Sequence, residues 1–91
     1  MEGKTKSGFN FKVDERIFGD WRFTCAVSKT QSSSDLEKLA GAREMCELLL
    51  GEEGHADLMN HVAKANDGFV PADVFMAEVA EIMQASTKAK N

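Results

Sequence analysis

The sequence predicts a mainly α-helical domain of about four helices, with a short N-terminal β-hairpin or strand. Three observations carry that expectation. Apolar residues such as Leu39, Ala42, Met45, Cys46 and Leu49 recur at steps of three and four, the spacing of one buried helix face. Near the start of the chain the pattern alternates instead, with Phe9, Phe11 and Val13 apolar and Asn10 and Lys12 polar, the period of a half-buried strand. The composition, 43% hydrophobic and 29% charged with a single proline, is that of a chain able to bury a core. At 91 residues there is room for one such core, so residues 1–85 are expected to form a single helical domain and 86–91 a flexible polar tail.

Taken in order, Ser7-Gly8 offers a turn before the alternating strand, with Lys4 to Lys6 as the other arm of a hairpin. An isolated two-stranded hairpin is marginal in water, so helices are expected to cover its Phe face. Asp14 or Asp20 suits the N-cap of a first helix carrying Ile17, Phe18, Trp21, Phe23, Thr24, Cys25 and Val27, with Gly19 as a break between two short pieces. Trp21 is either the largest core residue or an interface anchor. The polar run Ser28 to Ser33 reads as a loop. Ser34-Asp35-Leu36-Glu37 has the form of a capping box, which starts a second helix that Gly51 ends at a left-handed C-cap. A third helix is expected from Glu52 or Glu53 to Ala65, ended by Asn66-Asp67-Gly68. Pro71 suits the first position of a fourth, whose stripe is Val74, Phe75, Val79, Ile82 and Met83.

The formal net charge is −4, yet Asp14 to Ala85 holds 14 acids against 6 bases, with the compensating lysines at the two ends. Nucleic-acid binding draws on neutralised phosphates, so an acidic body argues against it. A basic or amphipathic protein partner fits better, beside the plainer reading of solvated acidic helix faces. The longest apolar run is Leu48 to Leu50, far short of a membrane span or a signal-peptide core, so neither a membrane segment nor export is expected. Cys25 and Cys46 stand alone and read as buried small hydrophobes.

Candidate chemistry is sparse. Asn66-Asp67-Gly68-Phe69-Val70 looks like the middle of a calcium-binding EF-hand loop, but with Gly68 at the loop glycine the ligand positions fall on Ala63, Ala65 and Val74, which lack the oxygens a hard cation needs. His55 and His61 are six residues apart and fall on different sides of a helix, so they make no zinc pair, and one is expected partly buried and one on the surface. His61 with Cys46 and an acid has the residue types of a thiol nucleophile and base and nothing more. None of the seven glycines lies in a nucleotide-binding pattern. No catalytic, metal or cofactor-binding residue is therefore assigned, and an enzyme is not expected. Met45, Met59, Met76 and Met83 all fall on expected helices, as core filler or as the lining of a groove for apolar partners.

The order of Thr5-Lys6-Ser7-Gly8-Phe9-Asn10-Phe11-Lys12-Val13-Asp14-Glu15, Gly19-Asp20-Trp21-Arg22, Leu48-Leu49-Leu50-Gly51 and Asn66-Asp67-Gly68-Phe69-Val70-Pro71-Ala72 resembles the tail assembly chaperones of long-tailed phages of Gram-positive bacteria, across about residues 4 to 85. The resemblance implies a non-catalytic protein of the host cell cytoplasm that binds the long tape measure protein, keeps it soluble while tail tube subunits assemble around it, and is not part of the mature virion. It also implies a short form of a product that is lengthened by a ribosomal frameshift near its end, where Lys88, Lys90 and Asn91 suit A-rich slippery codons. The tail tube protein, the longer form and a second copy are the other partners it brings in view. The exposed apolar surface is then expected between helices three and four, at Met59, Phe69 and Met76. A small acidic helical adaptor or regulatory domain that binds a folded protein stays open as the alternative.

Overall fold

The alternating N-terminal segment folds into an antiparallel hairpin. In the computed structural model, which describes residues 1–88, β1 (Glu2–Lys4) pairs with β2 (Asn10–Lys12) in the register Glu2 to Lys12, Gly3 to Phe11 and Lys4 to Asn10. The first arm thus lies two residues before the expected Lys4–Lys6, because the turn is longer: Thr5 N–H donates to Phe9 O and Gly8 N–H to Thr5 O, with Gly8 at φ +96°. Alternation sends Phe9, Phe11 and Val13 to one face, and all three are buried there.

A hairpin this small needs a platform, and α3 (Ala72–Lys88) supplies part of it. Glu78 Oε1 accepts from the hydroxyls of Thr5 (2.8 Å) and Ser7 (2.9 Å), and Glu81 Oε2 accepts from Lys6 N–H at 2.8 Å. Ser7 Oγ also shares a hydrogen bond with His61 Nε2 at 2.9 Å, and the His61 ring lies 5.4 Å from that of Phe9. Thr5 is buried and satisfied at both ends, since its Oγ1 also accepts from Phe9 N–H.

Both candidate caps are used. Asp14 accepts from Arg16 N–H and starts a 3₁₀ turn, Glu15–Gly19, while Asp20 accepts from Arg22 N–H and starts α1 (Trp21–Lys29). Each cap also chelates its arginine side chain, and the Arg16 guanidinium holds the Asp14 carboxyl down to about 2. Cys25, expected buried, is only partly so; Trp21 is 76% exposed and is no part of the core.

Among the described residues three α-helices are seen rather than four, because the second and third expected helices form one element, α2 (Asp35–Ala65). Ser34 caps it by accepting from Glu37 N–H at 3.3 Å. The other half of the capping box is replaced: Ser34 N–H donates to Ser32 Oγ. Gly51, with φ 77° and ψ 166°, is the one non-helical residue inside and bends the element into limbs 35–50 and 52–65. That region of backbone space is essentially open to glycine alone. At the far end Gly68 N–H donates to Ala63 O at 2.8 Å around Asp67 at φ 54°, a Schellman-type stop. Pro71 directly precedes α3, which continues past Gln84 to Lys88, so residues 86–88 are helical rather than a loose tail. Ser86 is buried there, donating to Ile82 O at 2.8 Å. Residues 89–91, the rest of the expected tail, lie outside the described residues.

The limbs of α2 offer Cys46 and Leu49, then Leu58 and Val62, to one core with Phe75, Val79 and Ile82 of α3, Phe23 of α1 and the hairpin's Phe9, Phe11 and Val13. α1 crosses α2 at Gly41, where a Cβ would stand 2.6 Å from Lys29 Cβ and 2.7 Å from Ala26 O. The backbone oxygen has no room to yield, so the helices must separate. Gly41→Ala is therefore expected to cost about 1–3 kcal/mol despite the better helix propensity of alanine. Urea unfolding checks this, and an unchanged or raised midpoint would show that α1 and α2 do not approach as closely as described.

An apolar groove between α2 and α3 as candidate functional site

Because α2 is bent, its two limbs and the start of α3 enclose a groove of about 290 Å³. Leu39, Ala42, Arg43 and Cys46 form one wall, His55 and Met59 the second, and Val70, Ala72, Phe75 and Met76 the third. Apart from Arg43 and His55 the lining is apolar or small. Arg43 is already engaged with Glu47 at 3.1 Å, and the His55 ring sits edge-on to Phe75 at 5.5 Å. The groove therefore has few polar groups with which to orient a small polar substrate, and much unsatisfied apolar surface.

Of the three residues expected on the partner surface, the structure brings two together. Met59 and Met76, each 37% exposed, face the same groove from α2 and α3. Phe69 is 74% exposed but lies outside the lining, in the connection between those helices. The expected site between helices three and four lacked its third wall. Leu39, read from the sequence as part of a buried stripe, is 68% exposed, and Leu36, one turn earlier, is 81% exposed. The signal for them was present: with Met45, Cys46, Leu48, Leu49 and Leu50 on the same limb, apolar residues cover more of its circumference than one buried face uses.

The groove holds no activated nucleophile. Cys46 is buried at its base, and burial, with Glu47 beside it, pushes the thiol up to about 11, which keeps it protonated at neutral pH. His61, once paired with it on residue type alone, belongs to the hairpin contact on another side of α2, while His55 is the histidine of the groove; both are partly buried. Among the described residues no group of three His, Cys, Asp or Glu is arranged to hold a metal ion, and no helix is long and apolar enough to cross a membrane.

No protein family, curated protein or solved structure matches the chain.

The Cys46 thiol has a testable consequence. Its value is raised on folding from 9.0 to about 11, so the unfolded chain loses this proton first. The stabilisation it provides is fully present below pH 9 and is lost as pH rises through about 11. Denaturant unfolding of the wild type should weaken over that window more than that of Cys46→Ala; parallel pH profiles would mean that Cys46 is not buried as described.

Proposed function

We propose that the chain is a non-catalytic phage tail assembly chaperone, whose groove holds an apolar helical stretch of the tape measure protein and keeps it soluble during tail tube assembly. The observation that supports this most is the three-walled apolar groove with a methionine on each of two facing helices. An amphipathic helix lays its apolar side chains into such a groove at steps of three, four and seven residues. Thioether side chains adapt to varied partners, which suits a chaperone meeting many similar stripes along one long chain. Leu36 and Phe69 extend the apolar surface beyond the groove itself. The acidic body, −8 between Asp14 and Ala85, keeps such a complex soluble.

The phage tail reading comes from the resemblance of the ordered segments given above, and the groove supplies a physical means for it. In this role the chain acts in the host cytoplasm, alone or with its longer frameshifted form, and leaves before the virion is complete.

Co-expression with the long tape measure protein of the same genome tests both parts. The wild-type chain, or its longer form, should raise the soluble fraction of that protein. Replacing Met59, Phe69 and Met76 together by alanine removes about 1 kcal/mol of apolar contact each and should weaken binding roughly a hundredfold. Leu39→Ala should add to that loss. Binding untouched by these changes would sink the groove as the site, and a tape measure protein that stays insoluble with both lengths of the chain would sink the chaperone reading.

A further inference from the structure

A second surface lies on the other side of the bend in α2. The hairpin ladder determines which backbone groups are used. Met1 and Val13 exchange both of their backbone hydrogen bonds, at 2.7 Å each, and Thr5 N–H donates to Phe9 O at 2.9 Å. In an antiparallel pair, hydrogen-bonded and non-hydrogen-bonded residues alternate. With Gly3 opposite Phe11, the N–H and C=O groups of Asn10 and Lys12 must therefore point away from β1.

That free edge of β2 borders an open cleft of about 950 Å³. Residues 9–16 line it continuously while β1 contributes only Glu2, and the opposite wall is the bend of α2 from Leu48 to Gly51, with Glu53 and Asp57 beyond. Exposed edges are commonly blunted by short length, a lysine, proline, a bulge or a covering element, and β2 has the first two, being three residues long with Lys12 at its end. Yet β2 has no proline and, among the described residues, no backbone hydrogen bond reaches Asn10 or Lys12 from that side.

Charge decides what the cleft suits. Asp14 is held by Arg16 and Glu15 by the N-terminal ammonium, which leaves Glu2, Glu53 and Asp57 against Lys12 alone. A second copy docked edge to edge would bring two such acidic sets together. We propose that the free edge of β2 is a second docking site, which takes a short extended peptide segment with alternating apolar and basic residues as an added strand. Its backbone would pair with Asn10 and Lys12, its apolar side chains would meet Leu48 and Leu50, and its basic ones would meet Glu53 and Asp57. This site is independent of the helix-binding groove and of the chaperone reading.

The test uses the full chain and the hexapeptide Lys-Val-Lys-Val-Lys-Val, with amide exchange followed by NMR. The peptide should slow exchange at Asn10 and Lys12. Lys12→Pro removes one edge donor without touching the pairs to β1, and should weaken binding about tenfold even though it makes the cleft more acidic. Should that variant disturb the hairpin, backbone methylation of the peptide decides on the wild type: methyl groups on one alternate set of nitrogens should abolish binding and on the other should not. Equal binding of both methylated peptides, or no protection at Asn10 and Lys12, would overturn the proposal. So would protection that rises with protein concentration in the absence of peptide, which would assign the edge to a second copy.

Discussion

The bend at Gly51 is the constraint on which the rest of the molecule depends. An unbroken α2 of 31 residues would measure roughly 46 Å, yet the molecule spans 33 × 33 × 19 Å. Bending lets both limbs turn apolar residues toward the same core, Cys46 and Leu49 from one and Leu58 and Val62 from the other. The cost of the unusual backbone is borne by glycine, the residue that lacks a Cβ to clash. No side chain crowds the position, so the requirement for glycine there is conformational rather than steric. The groove lies inside the angle between the limbs, and the cleft along β2 borders the bend itself.

The second constraint is the attachment of the hairpin. Three short hydrogen bonds to Glu78 and Glu81 join residues more than seventy positions apart, so the N-terminal strands and the C-terminal helix close the core from both ends of the chain. In a domain of this size the burial of Phe9, Phe11 and Val13 is a large share of the core, where they join residues of both α2 and α3. These polar contacts place Glu78, Glu81 and His61 in structural roles. Of the two candidate interaction surfaces, the groove is lined by α2, α3 and their connection, and the other is the free edge of the hairpin itself, facing the bend of α2. An apolar groove on one side and a free strand edge on the other are suited to different peptide conformations, helical and extended.

Much of the fold was legible because local physics decides it. Alternation announced β2, both aspartates proved to be caps, Gly19 separated two short helical pieces, and Pro71 directly preceded α3. What was not legible depended on tertiary geometry. Gly51 looks in sequence like a C-cap, and a positive φ serves equally for a stop or for a bend; only the packing of both limbs on α3 distinguishes them. Ser86 looks like part of a polar tail until its hydroxyl is seen to fold back on Ile82 O, which lets it be buried. The site was half legible. Met59 and Met76 were picked out as adaptable thioethers on expected helices, but Leu39 was placed in the core because periodicity says which residues share a face and not which neighbour covers it.

The bend itself is open to direct measurement. Nitroxide labels at Glu37 and Lys64, both exposed, would mark the two limbs in a Cys25→Ser background, with Cys46 protected by burial. Along a straight helix these positions would stand roughly 40 Å apart. Pulsed electron resonance should return a clearly shorter, narrow distance in the wild type. A distance near that of the straight helix would contradict the bend, and with it the shared core, the groove and the cleft.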